Sequence, residues 1–331
     1  MENGIPQKIV AFYRIRKKEV LKEEAAVPTA AAPPKVKFVP ESFRNFLFFF
    51  ELHDPMPKVD EALDYFFKEV FQRGDRVTIV TPKGAYRFRQ DSFNRTVLGE
   101  VSRQIKGNLR RDILQGAADY RNLIQEIKDI SSSEFPGDVG AAVIENDIRQ
   151  LRDRLTVSDQ DVRLLAQTLR VQEGQKIIFL FYQKEEIVIP GSQYETSKFA
   201  GENFRPIDYN VDDIQKIFAD ASLTVNLVFL TNSTTDTFDV EDLRRGDFSL
   251  IDLSHSLYGA FREMSQASGG TTEASTNALA AFKKTVTGSE NYYLLYYVPA
   301  AYKADGKFKE IEVTVKGRHY EVSHRSGYVA N

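Results

Sequence analysis

The chain is predicted to be an α/β protein with a doubly wound, mostly parallel sheet carrying helices on both faces. Three observations predict it. RNFLFFF is a continuous apolar run, and RVTIVT, KIIFLFY and LTVNLVFL are predominantly apolar, as strands covered on both faces require. The segments between them place apolar residues at helical rather than strand period. Strands and helices also alternate along the chain, the order that a parallel sheet with crossover connections needs. In such a sheet the ligand position lies outside the carboxyl ends of the strands.

Taken in order, KIVAFYRIRKKEV alternates apolar and polar residues, as a strand with one wet face does, and AAVPTAAAPPK follows as a linker. Residues 1–24 are therefore expected to be the C-terminal strand of a truncated N-terminal β domain, 25–42 an Ala/Pro linker, and 43–331 the main domain. After RNFLFFF, the residues Val59, Leu63, Phe66, Phe67 and Val70 fall on one helical face. RVTIVT is the second buried strand and AYRFR a short third. Residues 95–155 contain no strand pattern and are predicted to be a helical insertion of three amphipathic segments, broken near Gly116 and at SSSEFPGDVG.

Alternation resumes with a helix over SDQDVRLLAQTLRVQ, with Ser158 as its N-cap, and the strand KIIFLFY. A polar segment, a helix at VDDIQKIFADA and the strand LTVNLVFL come next, then a loop rich in Asp, Ser and Thr. Helices at SLYGAFREMSQA and NALAAFKKTV flank SGG. The strand NYYLLYYV, with Tyr292, Tyr293, Tyr296 and Tyr297, is assigned to sheet core with some hydroxyls on polar partners. A C-terminal hairpin over about 306–330 turns FKEIEVTV back as HYEVS through KGR, with SGYV at its end.

Composition narrows the function. Of 331 residues 42% are hydrophobic, enough for a sizeable core, and 44 Lys and Arg against 47 Asp and Glu leave a net charge of -3. No global field holds such a chain on nucleic acid or an anionic membrane, so partners are chosen by local surfaces. The absence of cysteine excludes disulfides, thiolate metal sites and cysteine nucleophiles. No apolar run approaches the ~20 residues of a membrane span, and MENGIPQKIV is not a signal peptide.

Neither G-x-G-x-x-G nor G-x-x-x-x-G-K-[ST] occurs, which disfavours dinucleotide enzymes and P-loop NTPases; G-x-S-x-G and H-E-x-x-H are also missing. His319 and His324 are separated by an odd number of residues, so a strand would put them on opposite faces rather than on one metal. His255 opens a helix, where a capping or surface role suffices. TNSTTDTFDVED is rich in oxygen ligands but lacks the order of a calcium loop and is assigned to turn and cap chemistry. No convergent acid, base and nucleophile set is visible, and the protein is expected not to be an enzyme.

Several segments together resemble the von Willebrand factor A fold, specifically the bacterial VWFA-related family. ENGIPQKIVAFY is similar to the E-D-G-x-P-Q-x-I-x-x-F end of that family's small N-terminal domain, and QRGDRVTIVT to its G-D-R-V stretch. FREMSQASGG resembles L-A-x-x-T-G-G with Ser268 in place of Thr. YYLLYYVPA, DGKFKEIEVTVK and RSGYVA resemble Y-x-L-x-Y-x-P, D-G-K-F-R-x-I-x-V and R-x-G-Y. The match covers most of 43–331; 95–155 reads as an elaboration. The resemblance implies a Rossmann-like sheet of about six strands flanked by helices. It also implies extracytoplasmic residence, periplasmic, cell-surface or secreted.

Many members of that fold hold Mg²⁺ through D-x-S-x-S after the first strand, a Thr from a second loop and an Asp after the fourth strand, all hard oxygen donors. Aligned on ELHDPM, Glu51 takes the Asp position, His53 the first Ser, Asp54 the intervening residue and Pro55 the second Ser. The expected Asp-Gly is Gln183-Lys184, and no second-loop threonine is assigned. Proline offers no side-chain ligand and histidine offers nitrogen, so Mg²⁺ or Mn²⁺ is not expected and no cofactor is assigned. A transition-metal site on Glu51, His53 and Asp54 would need three sequence neighbours to converge.

The function expected is a protein-binding, adhesion or assembly module that works without the bridging metal. Its rims would be ELHDPMP, stiffened by Pro55 and Pro57 at the start of the next helix, YQKEE, and TNSTTDT with Asn232, Ser233, Thr234 and Asp236. The alternative is a permanent structural subunit of an envelope or extracellular assembly; a hydrolase with an unrecognised site is the minor one. The partner is a protein, not nucleic acid or membrane, and oligomerisation stays open.

Overall fold

The computed structural model describes residues 1–16, 19–22, 44–52, 56, 58–81, 84–89, 95–131, 140, 142–147, 149–150, 159–183, 186–190, 210–231, 248–252, 254–299, 302–317 and 322–330. Near the N-terminus are β1 (Ile9–Arg16) and β2 (Glu19–Lys22). The central elements are β3 (Arg44–Glu51), α1 (Val59–Tyr65), β4 (Arg76–Thr81), β5 (Gly84–Arg89), α2 (Arg95–Ser131), α3 (Asp159–Arg170), β6 (Gln175–Gln183) and β7 (Glu186–Pro190). There follow α4 (Val211–Asp220), β8 (Leu223–Leu230), β9 (Phe248–Asp252), α5 (Ser254–Ala267), β10 (Thr272–Ser275) and α6 (Ala278–Glu290). The C-terminal strands are β11 (Asn291–Tyr297), β12 (Phe308–Glu310) and β13 (Gly327–Val329).

The principal sheet has six strands in the order β10-β8-β6-β3-β4-β5. All neighbours are parallel except β5, which folds back antiparallel on β4. The apolar runs become this sheet because each strand is covered twice, and successive side chains feed opposite faces. On one face Phe46, Phe48, Phe50, Phe179 and Phe181 pack with Leu63 and Phe66 of the α1 region, Ile105 and Leu109 of α2, and Phe282 of α6. On the other, Leu47, Ile178, Tyr182, Val225 and Leu227 meet Val162 and Leu169 of α3, Ile214 and Phe218 of α4, and Phe261 and Met264 of α5. Helices on both faces make this a doubly wound α/β sheet.

The first face is an aromatic lattice, with Phe48 and Phe66 centroids 4.6 Å apart, Phe50 and Phe181 4.7 Å, and Phe179 and Phe282 5.0 Å. Each fully buried Phe contributes roughly 1.5–3 kcal/mol through transfer from water. The chain enters α1 from Lys58 in a left-handed conformation (φ 66°) and leaves through a π-helical turn, Phe66–Val70, closed by the Phe71 N–H on the Phe66 carbonyl.

At the amino ends of the strands, Arg44 and Asp75 form a buried bidentate pair, with Nη2–Oδ2 at 2.6 Å and Nε–Oδ1 at 3.2 Å. Nη2 also donates to the Val70 carbonyl, and the Gln72 N–H donates to Asp75. The G-D-R-V stretch therefore supplies a structural anion. SGG is equally structural. A Cβ on Gly270 would sit 1.9 Å from the Val225 carbonyl oxygen, so only glycine lets this turn press on β8. The Ser268 hydroxyl accepts the Val225 N–H and donates to the Ser265 carbonyl, satisfying two buried main-chain groups.

The structure revises several local expectations. Helix α2 runs through Gly116 without a break, because one glycine costs only ~1 kcal/mol and Ile113, Ala117 and Ile124 continue the buried stripe. Thirty-seven residues give it a length of about 55 Å. Residues 142–147 are helical, with Ile144 buried. Strands β7 and β9 form an antiparallel ribbon where a polar segment and a loop were expected. At the C-terminus Phe308 pairs with Val329, so FKE is joined to GYV; His319, Tyr320 and Glu321 of HYEVS lie outside the described residues.

The tyrosine strand is not in the principal sheet core. Strand β11 pairs antiparallel with β1 in a separate three-stranded sheet, β11-β1-β2, and its side chains are half-buried or exposed. The segment expected to close a preceding β domain is thus tied by main-chain pairing to the C-terminal third. Residues 1–5 join it: Glu2 bridges Ile311, Asn3 and Glu310 exchange hydrogen bonds, and Glu2 accepts the hydroxyls of Tyr297 (2.7 Å) and Tyr328 (3.1 Å). Burial first, then the hydrogen bond to Glu2, raises the Tyr297 pKa above its ordinary value.

Candidate functional site

The chain enters the sheet at its centre with β3, winds outward to β4 and β5, then reverses to build β6, β8 and β10 on the other side. The reversal falls between β3 and β6, and the crevice at their carboxyl ends is where doubly wound sheets take ligands. Both described adhesion-site positions are there. Glu51 ends β3 and lies opposite Tyr182, while Gln183 ends β6 opposite Leu230 of β8.

The pleat separates the two. Glu51 continues the row of Leu47 and Phe49 toward the α3–α4–α5 face, whereas Gln183 continues Phe179 and Phe181 toward the α1–α2–α6 face. Glu51 is exposed, but Gln183 is fully buried. A carboxylate and a buried neutral amide leaving opposite faces are not arranged to share one ion. Leu52 and Met56 are buried in the same cluster as the phenylalanines of β3 and β6. His53, Asp54, Pro55, Pro57 and Lys184 lie outside the described residues, as do Asn232, Ser233, Thr234 and Asp236. Among the described residues, no group of three or more His, Asp or Glu side chains is placed to hold a metal.

Two further contributors to this rim were not legible in the sequence. At the end of β4, the Thr81 hydroxyl donates to Asp112 of α2 at 2.6 Å and accepts the Gly84 N–H. This buried contact moors the helical insertion at the carboxyl edge. Lys106 and Ser102 moor it again on Asp64 of α1. Only the long separation in sequence hid these pairs; Asp112 sits on the buried stripe of α2 beside Ile113.

At the other end of the rim, Thr231 donates its N–H to the Ser275 carbonyl, and Ser275 Oγ accepts from Asn277, whose own side chain caps α6 through the Ala280 N–H. Among the described residues the rim carries the exposed Glu51 carboxylate, the buried Gln183 amide, the Thr81 hydroxyl on Asp112, and the Ser275 and Asn277 side chains on nearby main-chain N–H groups.

Of the histidines, His324 takes the Val313 N–H on Nε2 and contacts the Arg325 carbonyl through Nδ1, which assigns the proton to Nδ1. It is a structural residue; His319 lies outside the described residues, and of His255 only its place in α5 is described.

The fold is that of a doubly wound α/β protein whose switch point lies between β3 and β6. No protein-family model matches the chain, and no curated protein matches it. Among the described residues, no helix is long and apolar enough to cross a membrane.

Proposed function

We propose that the protein is a non-enzymatic binding or assembly module of von Willebrand A type that engages a protein partner through the carboxyl rim of its sheet without a bridging metal. The observation that carries the reading is the disposition of Glu51 and Gln183 at the switch point, on opposite faces and with the second an amide buried in the core. In support stand the strand order around β3 and, among the described residues of the rim, the hydrogen bonding of Thr81, Ser275 and Asn277 within the chain itself. The family resemblance supports residence outside the cytoplasm.

Titration calorimetry with Mg²⁺ and Mn²⁺ tests the metal-independent reading. No saturable heat is expected in the micromolar range; binding that Glu51→Ala removes would overturn it. Retention of partner in a pull-down, insensitive to chelator and weakened by Glu51→Lys, would locate the contact on the rim.

A further inference from the structure

We infer that the protein has a second docking surface, beside the carboxyl rim but distinct from it: the outer edge of β5, which takes an extended segment of another protein, alternating apolar and acidic side chains, as an added strand of the principal sheet. Strand β5 ends the order β10-β8-β6-β3-β4-β5 and pairs with β4 alone among the described residues. Half of the main-chain groups of an edge strand point away from its neighbour and are open to pairing. From Ala85 to Phe88 none of them has a hydrogen-bond partner off β4 among the described residues, and Ala85 and Arg87 are exposed. The other edge of the sheet differs, since β10 has four residues and its one charge, Glu273, is held by Lys284 at 3.1 Å.

The two faces of β5 indicate what an added strand must carry. Tyr86 lies opposite Ile79 and Phe88 opposite Val77, and both rings are only half-buried against the phenylalanine cluster. Every second residue of an added strand would close over them, and apolar ones gain most. On the reverse face Arg87 lies opposite Thr78, and Arg76 opposite Arg89. The α3–α4–α5 layer stops short of these residues, because its buried cluster draws on β3, β6 and β8 and on no residue of β4 or β5. Arg76 and Arg87 are exposed, and neither makes an ion pair or hydrogen bond among the described residues; Arg89 is already engaged. Neither β4 nor β5 contains a carboxylate, and β3 has only Glu51 at its far end.

Charge on an edge strand guards it against indiscriminate pairing, and here the same charge selects. A residue directly opposite Arg87 would lie about 5 Å away between Cβ atoms, where opposite charges stabilise a strand pair and like charges oppose it. Arg76 is one strand farther in, about 10 Å from the added strand, and reinforces the preference. Main-chain hydrogen bonds supply affinity, and the alternation of side chains supplies specificity. Nucleic acid would meet the cations but leave the edge unpaired. A second copy joined edge to edge would set one basic strand beside another. An alternating apolar and acidic strand satisfies the edge and both faces.

Fluorescence anisotropy on the full chain, with a dye-labelled decapeptide alternating Val and Glu, tests the assignment. Saturable binding that weakens with salt is expected, and the matching Val–Lys peptide should not bind. Hydrogen exchange of the amides of 85–88 should slow when the peptide is bound, which contact through charge alone would not produce. Arg87→Glu should reduce affinity by about tenfold with unchanged thermal unfolding, because the side chain is exposed. Glu51→Lys, at the carboxyl rim, should leave the peptide's affinity unchanged. Failure of the Val–Glu peptide to bind, equal binding of the Val–Lys peptide, or unaltered exchange in β5 would overturn strand addition. Loss of binding in Glu51→Lys would return the contact to the rim, and competition by oligouridine would reassign the cations to nucleic acid. A dimer in light scattering that the peptide dissociates would reassign the edge to a second copy.

Discussion

Replacing Asp75 by Ala should be among the most destabilising single changes in the protein, and its size follows from what it strands. Arg44 is 3% exposed and Asp75 fully buried, and the two share a pair of hydrogen bonds. Without the carboxylate, the guanidinium keeps the Val70 carbonyl, the face of Phe46 and Glu290 at 3.8 Å. Leaving one member of a buried pair uncompensated costs about 3–5 kcal/mol. With a urea slope of about 3 kcal/mol/M, the unfolding midpoint should fall by roughly 1–1.7 M. Arg44→Met should cost a similar amount. The double variant Arg44→Met/Asp75→Leu should recover most of the loss, because a well-packed apolar replacement of an ion pair is often neutral. A midpoint shift below about 0.3 M for Asp75→Ala, or a double variant as unstable as the singles, would refute the view that this pair locks the amino ends of β3 and β4.

Three other outcomes are expected. Gly270→Ala drives a methyl into the Val225 carbonyl and should cost more than about 3 kcal/mol, read as loss of soluble protein or a large drop in melting temperature; near-native melting would contradict the close approach. Asp147 is buried with Oδ2 unpartnered among the described residues, and its pKa is raised by burial first and then by Glu126. Between the ordinary carboxyl value and the raised one the folded chain binds the extra proton, so stability falls as pH rises through that window. Asp147→Asn should therefore melt higher than the parent at pH 7, and the advantage should vanish below about pH 4. For Tyr297, whose raised pKa keeps the folded phenol protonated, stability should hold below about pH 10 and fall above it as only the unfolded chain ionises; Tyr297→Phe should flatten that alkaline slope in melting scans.

The central sheet could be read from the chain because RNFLFFF, KIIFLFY and LTVNLVFL are predominantly apolar runs without the alternation of a half-wet strand. Helices α3, α4 and α6 followed from period, and the structure adds that Asn210 and Asn277 cap the last two. Short strands escaped: EIVIP and FSLID pair with each other across more than fifty residues, and neither is long enough to announce its type. The rim was half legible. Glu51 and Gln183 were located by the ends of their strands, but the Thr81–Asp112 contact joins residues 31 apart with no pattern to link them.

By itself, then, the sequence determined which segments are buried strands, where the carboxyl ends of β3 and β6 fall, and that ELHDPM and Gln183-Lys184 depart from the D-x-S-x-S and Asp-Gly patterns. Those are matters of local chemistry and period. Only the tertiary structure decided that Glu51 and Gln183 leave opposite faces, that Asp75 serves Arg44, and that the tyrosines of β11 belong with β1 at an edge rather than in the central core. Each depends on which strands become neighbours and in what register, and a one-residue slip would reverse every face without changing a single residue.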